Sequence, residues 1–358
     1  MFKHNAHIPL IKRKKYYRKT VKENLRLDMS ERVVNFPDKF YNNFLSSLEQ
    51  EDFICYPSLS NYDLLCEKLA THNNLKRENV LLGNGSESLL KIIFELTSDK
   101  KSNIVTSNPC FPMYGVFAQM VGSSLKTVNY ISVGEPQLDL VDFKIVVDDQ
   151  TSLVVLANPN SPVGDFQHKH KIEDLLAFLK QKNILLLLDE AYIDYAAYSN
   201  SALVKKHDNL IVIQTFSKSF GGAGLRLGCA FSSSKNINLL DKLNFSFPVT
   251  GASTKFGLSL MDNLELLEDY TDAVKNQRKL LSKKLEDKGY DVVAGSCNWI
   301  HFNDKSDNTK ATKIFQKHNL NFKNGLKLPH DYRSNWIRLT LSSNSLEQAY
   351  INEILDEE

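Results

Sequence analysis

Between about residue 60 and residue 230 the chain alternates short runs rich in Val, Ile and Leu with stretches of helical periodicity. That alternation marks strands joined by crossover helices, and it confines the fold to the α/β class: a mostly parallel sheet covered by helices on both faces. The strand-like runs fall at 80–82, 103–106, 153–157, 184–188, 210–214 and 227–231. They are short and apolar, as strands buried on both faces must be. Several lead into polar or Gly/Pro-rich turns, at 83–88, 108–111, 158–164, 189–192 and 217–226. Open α/β sheets bind ligands at the carboxyl ends of their strands, so these five turns are expected to converge on one site.

A chain of 358 residues exceeds the roughly 250–300 residues at which single cores stop growing, so a second lobe is expected. Past residue 260 the pattern changes to a long charged helical stretch at 264–288. Strand-like runs at 291–293, 299–302 and 336–341, a helix at 309–318 and a last helix from Ser345 complete a smaller α+β domain. Residues up to about 45 carry no βαβ pattern and are expected to pack on that smaller lobe or on a neighbouring subunit. The expected division is therefore 1–45 as an N-terminal arm and part of the small domain, 46–263 as the large domain, and 264–358 as the small C-terminal domain.

The charge balance, 44 basic against 42 acidic side chains, leaves +2, too little for a whole-surface field that would hold a nucleic-acid backbone. Small-molecule chemistry is the better expectation. Five widely spaced cysteines without a CxxC pair fit neither a disulfide framework nor a zinc site, and point to a reducing cytoplasm. The pair His168 and His170 lacks a third ligand nearby, so no metal is expected. The basic stretch Lys12, Arg13, Lys14, Lys15, Arg18 and Lys19 has no apolar run behind it and is not a secretory signal. The longest apolar run, 184–188, is too short to span a bilayer.

Four turns carry residues with chemistry. Gly83-Asn84-Gly85-Ser86-Glu87-Ser88 follows a strand and opens a helix, which makes it either an anion cradle or simply a tight turn. It lacks the third glycine of the dinucleotide fingerprint, and no P-loop lysine is present after it. Asp189 ends a buried run, where it either caps the next helix or meets a cation, such as a protonated ring nitrogen. Lys218 lies among small residues in Ser217-Lys218-Ser219-Phe220-Gly221-Gly222-Ala223-Gly224-Leu225-Arg226; it is either a surface lysine or one that forms a Schiff base, with Ser217 and Arg226 suited to a phosphate ester. Asn158-Pro159-Asn160-Ser161-Pro162-Val163-Gly164 reads alone as a proline-rich turn.

Taken in order, these four segments resemble the fold-type I pyridoxal-phosphate aminotransferases, and within them the histidinol-phosphate aminotransferase group and its relatives, the amino-acid-phosphate decarboxylases. The resemblance covers about residues 25 to 355 and is strongest in Leu188-Asp189-Glu190-Ala191-Tyr192-Ile193-Asp194 and in the Lys218 segment. It implies pyridoxal 5'-phosphate as cofactor, Lys218 as its Schiff-base lysine, Asp189 at the pyridinium nitrogen and Tyr192 at the phenolic oxygen. Phe111 would stack on the ring. Ser217, Arg226 and the backbone N–H groups of Ser86 and Glu87 would hold the phosphate, joined by Tyr56 from the partner subunit of a homodimer. Arg338 would take the substrate carboxylate.

The chain departs from the family pattern at several places. Ser161 stands where an asparagine usually meets the phenolic oxygen, which leaves Ser161 or the adjacent Asn160 for that role. Phe111 replaces the commoner tyrosine. Lys323 stands where many relatives carry an arginine for the substrate's phosphate, and Ser30-Glu31-Arg32 replaces an Asn-Glu-Asn motif; both turn the reading away from histidinol phosphate itself. The resemblance implies transamination of a small, phosphorylated amino or keto compound with glutamate as donor. The alternative is decarboxylation of a phosphorylated amino acid, since such enzymes keep the same lysine, aspartate and arginine.

Overall fold

The computed structural model describes residues 7–12, 25–131, 136–303, 309–326, 336–341, 343, 351–352 and 356. Of the basic stretch, Arg13 to Lys19 lies outside the described residues, as does the start of the helix expected from Ser345. The first strand, β1 (Leu25–Arg26), lies ahead of the main sheet. That sheet has seven strands: β2 (Val80–Asn84), β3 (Asn103–Asn108), β4 (Ser124–Asn129), β5 (Thr151–Ala157), β6 (Leu185–Asp189), β7 (Leu210–Thr215) and β8 (Leu227–Ser232). Their spatial order is β2-β8-β7-β6-β5-β3-β4. All neighbours run parallel except β8, which is antiparallel to both β2 and β7.

The period-two alternation of the central strands divides their side chains between two apolar layers. Val154, Leu156, Leu186, Leu188 and Val212 face one layer, and Leu153, Val155, Leu187, Ile211 and Ile213 face the other. Helices close both: Gly85–Thr97 and Met113–Val121 lie on the second face, while Leu59–His72, Lys169–Gln181 and Gly251–Met261 lie on the first. No face of these central strands is left to water, so they read as continuous apolar stretches.

The sequence missed β4. Its residues Ser-Leu-Lys-Thr-Val-Asn sit on the sheet edge with only Val128 buried, so they carry the polar pattern of an edge strand rather than an apolar run. The run placed at 184–188 forms a strand one residue later, which brings Asp189 into the ladder opposite Ala157 and Ile213.

The second sheet has four strands. These are β9 (Asp291–Val293), β10 (Trp299–Asn303), β12 (Lys323–Leu326) and β13 (Trp336–Thr340), in the order β12-β13-β10-β9 and antiparallel throughout. Between them β11 (Leu320–Asn321) pairs in parallel with β1. Helices Glu265–Asp287 and Thr309–Lys317 accompany this sheet, and its core holds Leu27, Val274, Leu281, Trp299, Phe302, Phe315 and Ile337. The stretch ahead of residue 45 thus serves both cores. Leu27 enters the small one, whereas Phe40 and Phe44, on helix Asp38–Ser47, pack with Phe36 around Phe256 in the large one. Among the described residues no helix is long and apolar enough to cross a membrane.

Candidate active site

The site begins where β2 turns into helix Gly85–Thr97. Gly85 has φ +69° and its N–H donates to the Arg226 carbonyl at 2.9 Å. A Cβ there would lie 2.6 Å from Arg226 Nη2, so the glycine lets the guanidinium stand against the helix start. Arg226 is itself left-handed, at φ 52°, and its Nη1 donates to Ser217 Oγ at 3.3 Å and to the Ala223 carbonyl at 3.2 Å. First-turn N–H groups, those of Ser86 and Glu87 included, have no acceptor within their own helix. A helix start, a guanidinium and a hydroxyl thus share one corner, which suits an anion.

Gly228, on β8, backs this corner. A Cβ there would fall 2.4 Å from Ser86 N, which is backbone and cannot swing away. Gly228→Ala is expected to displace the helix start and destabilise the fold by about 1–3 kcal/mol, as overpacking does. Thermal unfolding of the purified variant checks it.

Asp189 ends β6 and is buried. Its Oδ2 accepts from Tyr114 Oη at 2.7 Å and its Oδ1 from the Ala191 N–H at 3.1 Å. Burial pushes the carboxyl's pKa up, and the Tyr114 hydroxyl, the Ala191 amide and the nearby Lys218 charge oppose that rise. Burial beside this carboxylate also holds the Tyr114 hydroxyl well above the usual phenol range. Tyr114 escaped the sequence reading because it lies in the apolar helix Met113–Val121 and looks like core. Phe111, half-buried, meets the Tyr114 ring edge-on with centroids 5.6 Å apart.

Lys218 lies beyond the end of β7 and is half-buried. Its Nζ lies 5.2 Å from the centroid of the Tyr192 ring and donates to the Met29 carbonyl at 3.1 Å. Tyr192 in turn meets Trp299 edge-on at 4.6 Å, and the Arg338 guanidinium lies 4.8 Å from the Trp299 centroid. Arg338 Nη2 also donates to the Asp28 carbonyl at 3.1 Å. One N-terminal segment therefore touches both cations through adjacent carbonyls, which the sequence could not show because backbone oxygens leave no residue signature. In the small sheet Arg338 pairs across to Lys323 on one side and His301 on the other.

The turn after β5 carries Asn160 and Ser161. Asn160 is buried, donating through Nδ2 to Ser107 Oγ at 3.1 Å and accepting at Oδ1 from Val163 N at 3.1 Å. Its side chain is committed to holding the turn. Ser161 is half-buried and its hydroxyl has no partner among the described residues. Tyr56 stands apart: it is 80% exposed and stacks on Phe247 at 4.5 Å rather than on any of these groups.

The chain matches the model of aminotransferase class I and II over residues 27–355. It is 36% identical over 222 residues to a histidinol-phosphate aminotransferase of Christiangramia forsetii, covering 61% of this chain and 62% of that protein. It is 25% identical to one of Clostridium novyi, over 94% of this chain and 92% of the relative. A crystal structure of the histidinol-phosphate aminotransferase of Sinorhizobium meliloti in complex with pyridoxal-5'-phosphate shares the fold, with a TM-score of 0.78 and 24% identity over 94% of this chain and 92% of that one. With its match running through both sheets and every turn described above, the chain belongs to the aminotransferase class I and II family, pyridoxal-phosphate-dependent transferases of fold type I.

Proposed function

We propose that this aminotransferase works on a small amino or keto compound that carries both a carboxylate and a phosphate, with glutamate as amino donor. The observation that carries the reading is the cross-strand pair of Lys323 and Arg338. Residues directly opposite in an antiparallel ladder present their side chains on the same face. Two cations side by side suit a doubly anionic substrate, and Arg338 is linked to the lysine at the end of β7 through Trp299 and Tyr192.

The donor set fits the cofactor at both ends. The corner formed by Ser86, Glu87, Ser217 and Arg226 offers donors to a phosphate, and the buried Asp189 carboxylate suits a protonated ring nitrogen, since burial without a cation raises its pKa. Tyr192 would donate to the phenolic oxygen and Phe111 would cover a ring face. Ser161 is the better partner for the phenolic oxygen because Asn160 is committed elsewhere. When bound, the cofactor supplies an aldehyde that condenses with amines and a ring that withdraws electrons from the amine carbon. Lys218 would be the residue that holds the cofactor through that aldehyde, and its free amine would take a proton from the substrate's Cα as a general base and return it as an acid. Arg338 orients the substrate by its carboxylate.

The homodimer is part of this proposal. Phe53, Ile54, Tyr56, Leu59 and Phe245 are each at least 66% exposed, and Tyr56 stacks on Phe247, 42% exposed, so apolar side chains here are open to a second copy. Burying them against a second copy would bring Tyr56 toward the partner's phosphate corner. The proposed division remains a large cofactor-binding domain over 46–263 and a small one over 264–358, and five free thiols suit a reducing cytoplasm.

The test is a titration of the cofactor-loaded protein with single amino donors, without keto acceptor, monitoring visible absorption and released CO₂. Glutamate is expected to abolish the visible band without CO₂, and a phosphorylated keto compound to restore it. CO₂ release with the band retained would make the enzyme a decarboxylase instead, and restoration by unphosphorylated keto acids alone would remove the phosphate from the reading.

A further inference from the structure

The motif after β6 contains a further carboxylate, half-buried, that the chemistry above does not use. Asp194 lies in the 3-10 turn Ile193–Tyr195, two residues beyond Tyr192. Ser219, 1% exposed, directly follows Lys218, and its Oγ donates to Asp194 Oδ2. The bond therefore joins the turn that carries Asp189 and Tyr192 to the turn that carries Lys218, at the ends of the adjacent parallel strands β6 and β7.

We propose that Asp194, acting through Ser219, is the positioning residue that fixes the direction in which Lys218 leaves its loop. This rests on the reading of Lys218 as the lysine that bonds the cofactor. The loop is already tight: Gly221 N donates to the Lys218 carbonyl at 3.0 Å and Gly222 N to the Phe216 carbonyl at 2.7 Å. Phe216 and Phe220 pack with ring centroids 4.5 Å apart, anchoring its two shoulders. Those contacts hold the loop against the core and fix the Lys218 carbonyl, and none of them ties the loop to the turn after β6. A hydroxyl bonded to a carboxylate is directional and stronger than a neutral pair, so it ties Ser219, and through it the Lys218 backbone, to the turn after β6. Burial raises the Asp194 pKa and the Ser219 bond opposes the rise, with more distant help from the charges of His72 and Lys275. A carboxylate partly withdrawn from water is costly to leave unsatisfied, and the buried Ser219 hydroxyl supplies its bond.

The consequence is carried by geometry. A misplacement of about 1 Å in a reacting group can lower a rate about 10²-fold. The experiment compares Ser219→Ala, Ser219→Thr and Ser219→Cys with wild type, each loaded with pyridoxal phosphate. Four quantities are read: kcat, KM for the amino donor, the pH midpoint of the bound cofactor's visible band, and the melting temperature of the cofactor-free protein. Ser219→Ala is expected to lower kcat by about 10–10²-fold with KM nearly unchanged and to move the pH midpoint, while Ser219→Thr, which keeps the hydroxyl, restores both. Wild-type kcat and midpoint in Ser219→Ala, with only the melting temperature lowered, would show a purely structural bond and overturn the proposal. Should Ser219→Ala fail to fold, Ser219→Cys carries the test, since a thiol of similar size is a poor donor; wild-type kcat and midpoint in it would likewise overturn the proposal. A wild-type protein that shows no visible band with pyridoxal phosphate removes the reading of Lys218 and the inference with it, whereas a normal wild-type band with unaffected variants removes the inference alone.

Discussion

Lys218→Ala is expected to leave the fold intact and turnover at or below about one part in 10⁴ of wild type, the upper end of what a single general base contributes. The fold should survive because Lys218 is half-buried, its amine makes one hydrogen bond, to the Met29 carbonyl, and Asp189 keeps its bonds from Tyr114 and Ala191. The loss of rate has two sources that one amine combines. On the proposed reading this lysine, beside the Tyr192 ring, both forms the covalent link to the cofactor and moves the substrate's Cα proton. Two measurements separate these sources. The visible band of the loaded protein reports the covalent link and should be absent or displaced in the variant. Adding a small primary amine to the assay supplies a free base and should recover part of the rate without restoring the link. Turnover near wild type, with the band intact, would move the chemistry to another residue.

How much of this was legible in the sequence depends on the kind of signal each residue leaves. The central strands were readable because burial on both faces leaves only apolar side chains, as in Leu186, Leu187 and Leu188. Edge strand β4 was not, because half of it faces water and Lys126 interrupts it. Asp189, Lys218 and Arg226 were readable as charged residues placed where a strand ends, a position that packing alone does not ask for. Tyr114 was hidden because its hydroxyl sits on a largely apolar helix, and its partner Asp189 lies 75 positions away. The Met29 and Asp28 carbonyls were hidden for a different reason: every residue has a carbonyl, so only the folded chain shows which ones face Lys218 and Arg338. The bond from Ser219 to Asp194 belongs with these, since neither residue type at its position distinguishes a tether from a turn.

Asp189→Asn is expected to separate stability from function with opposite signs. In the cofactor-free protein, burial raises the carboxyl above its unfolded value of about 3.9, so the folded chain binds that proton more tightly than the unfolded one. Stability from this group is therefore present below the unfolded pKa and is lost as pH rises through the folded pKa. An asparagine carries no such loss. Its oxygen can accept from the Ala191 N–H and its amide can donate to Tyr114 Oη, the hydroxyl reversing its role, so the shape and bond count of the site persist. The cofactor-free variant should melt at or above the wild-type temperature at pH 7 and above, and its melting temperature should depend less on pH. With pyridoxal phosphate the order reverses. On the proposed reading wild-type Asp189 then gains a cation that relieves its burial, and the protein is stabilised in proportion to that binding. The variant loses a buried charge pair worth about 3–5 kcal/mol when broken from one side, and at about 1.4 kcal/mol per tenfold that is about 10²–10³-fold or more in affinity or rate. Thermal unfolding with and without pyridoxal phosphate across pH 5 to 9, beside kcat at each pH, reads both effects on the same samples. A wild-type thermal shift on cofactor addition in the variant, or an unchanged rate, would show that the carboxylate of Asp189 does not face the ring nitrogen.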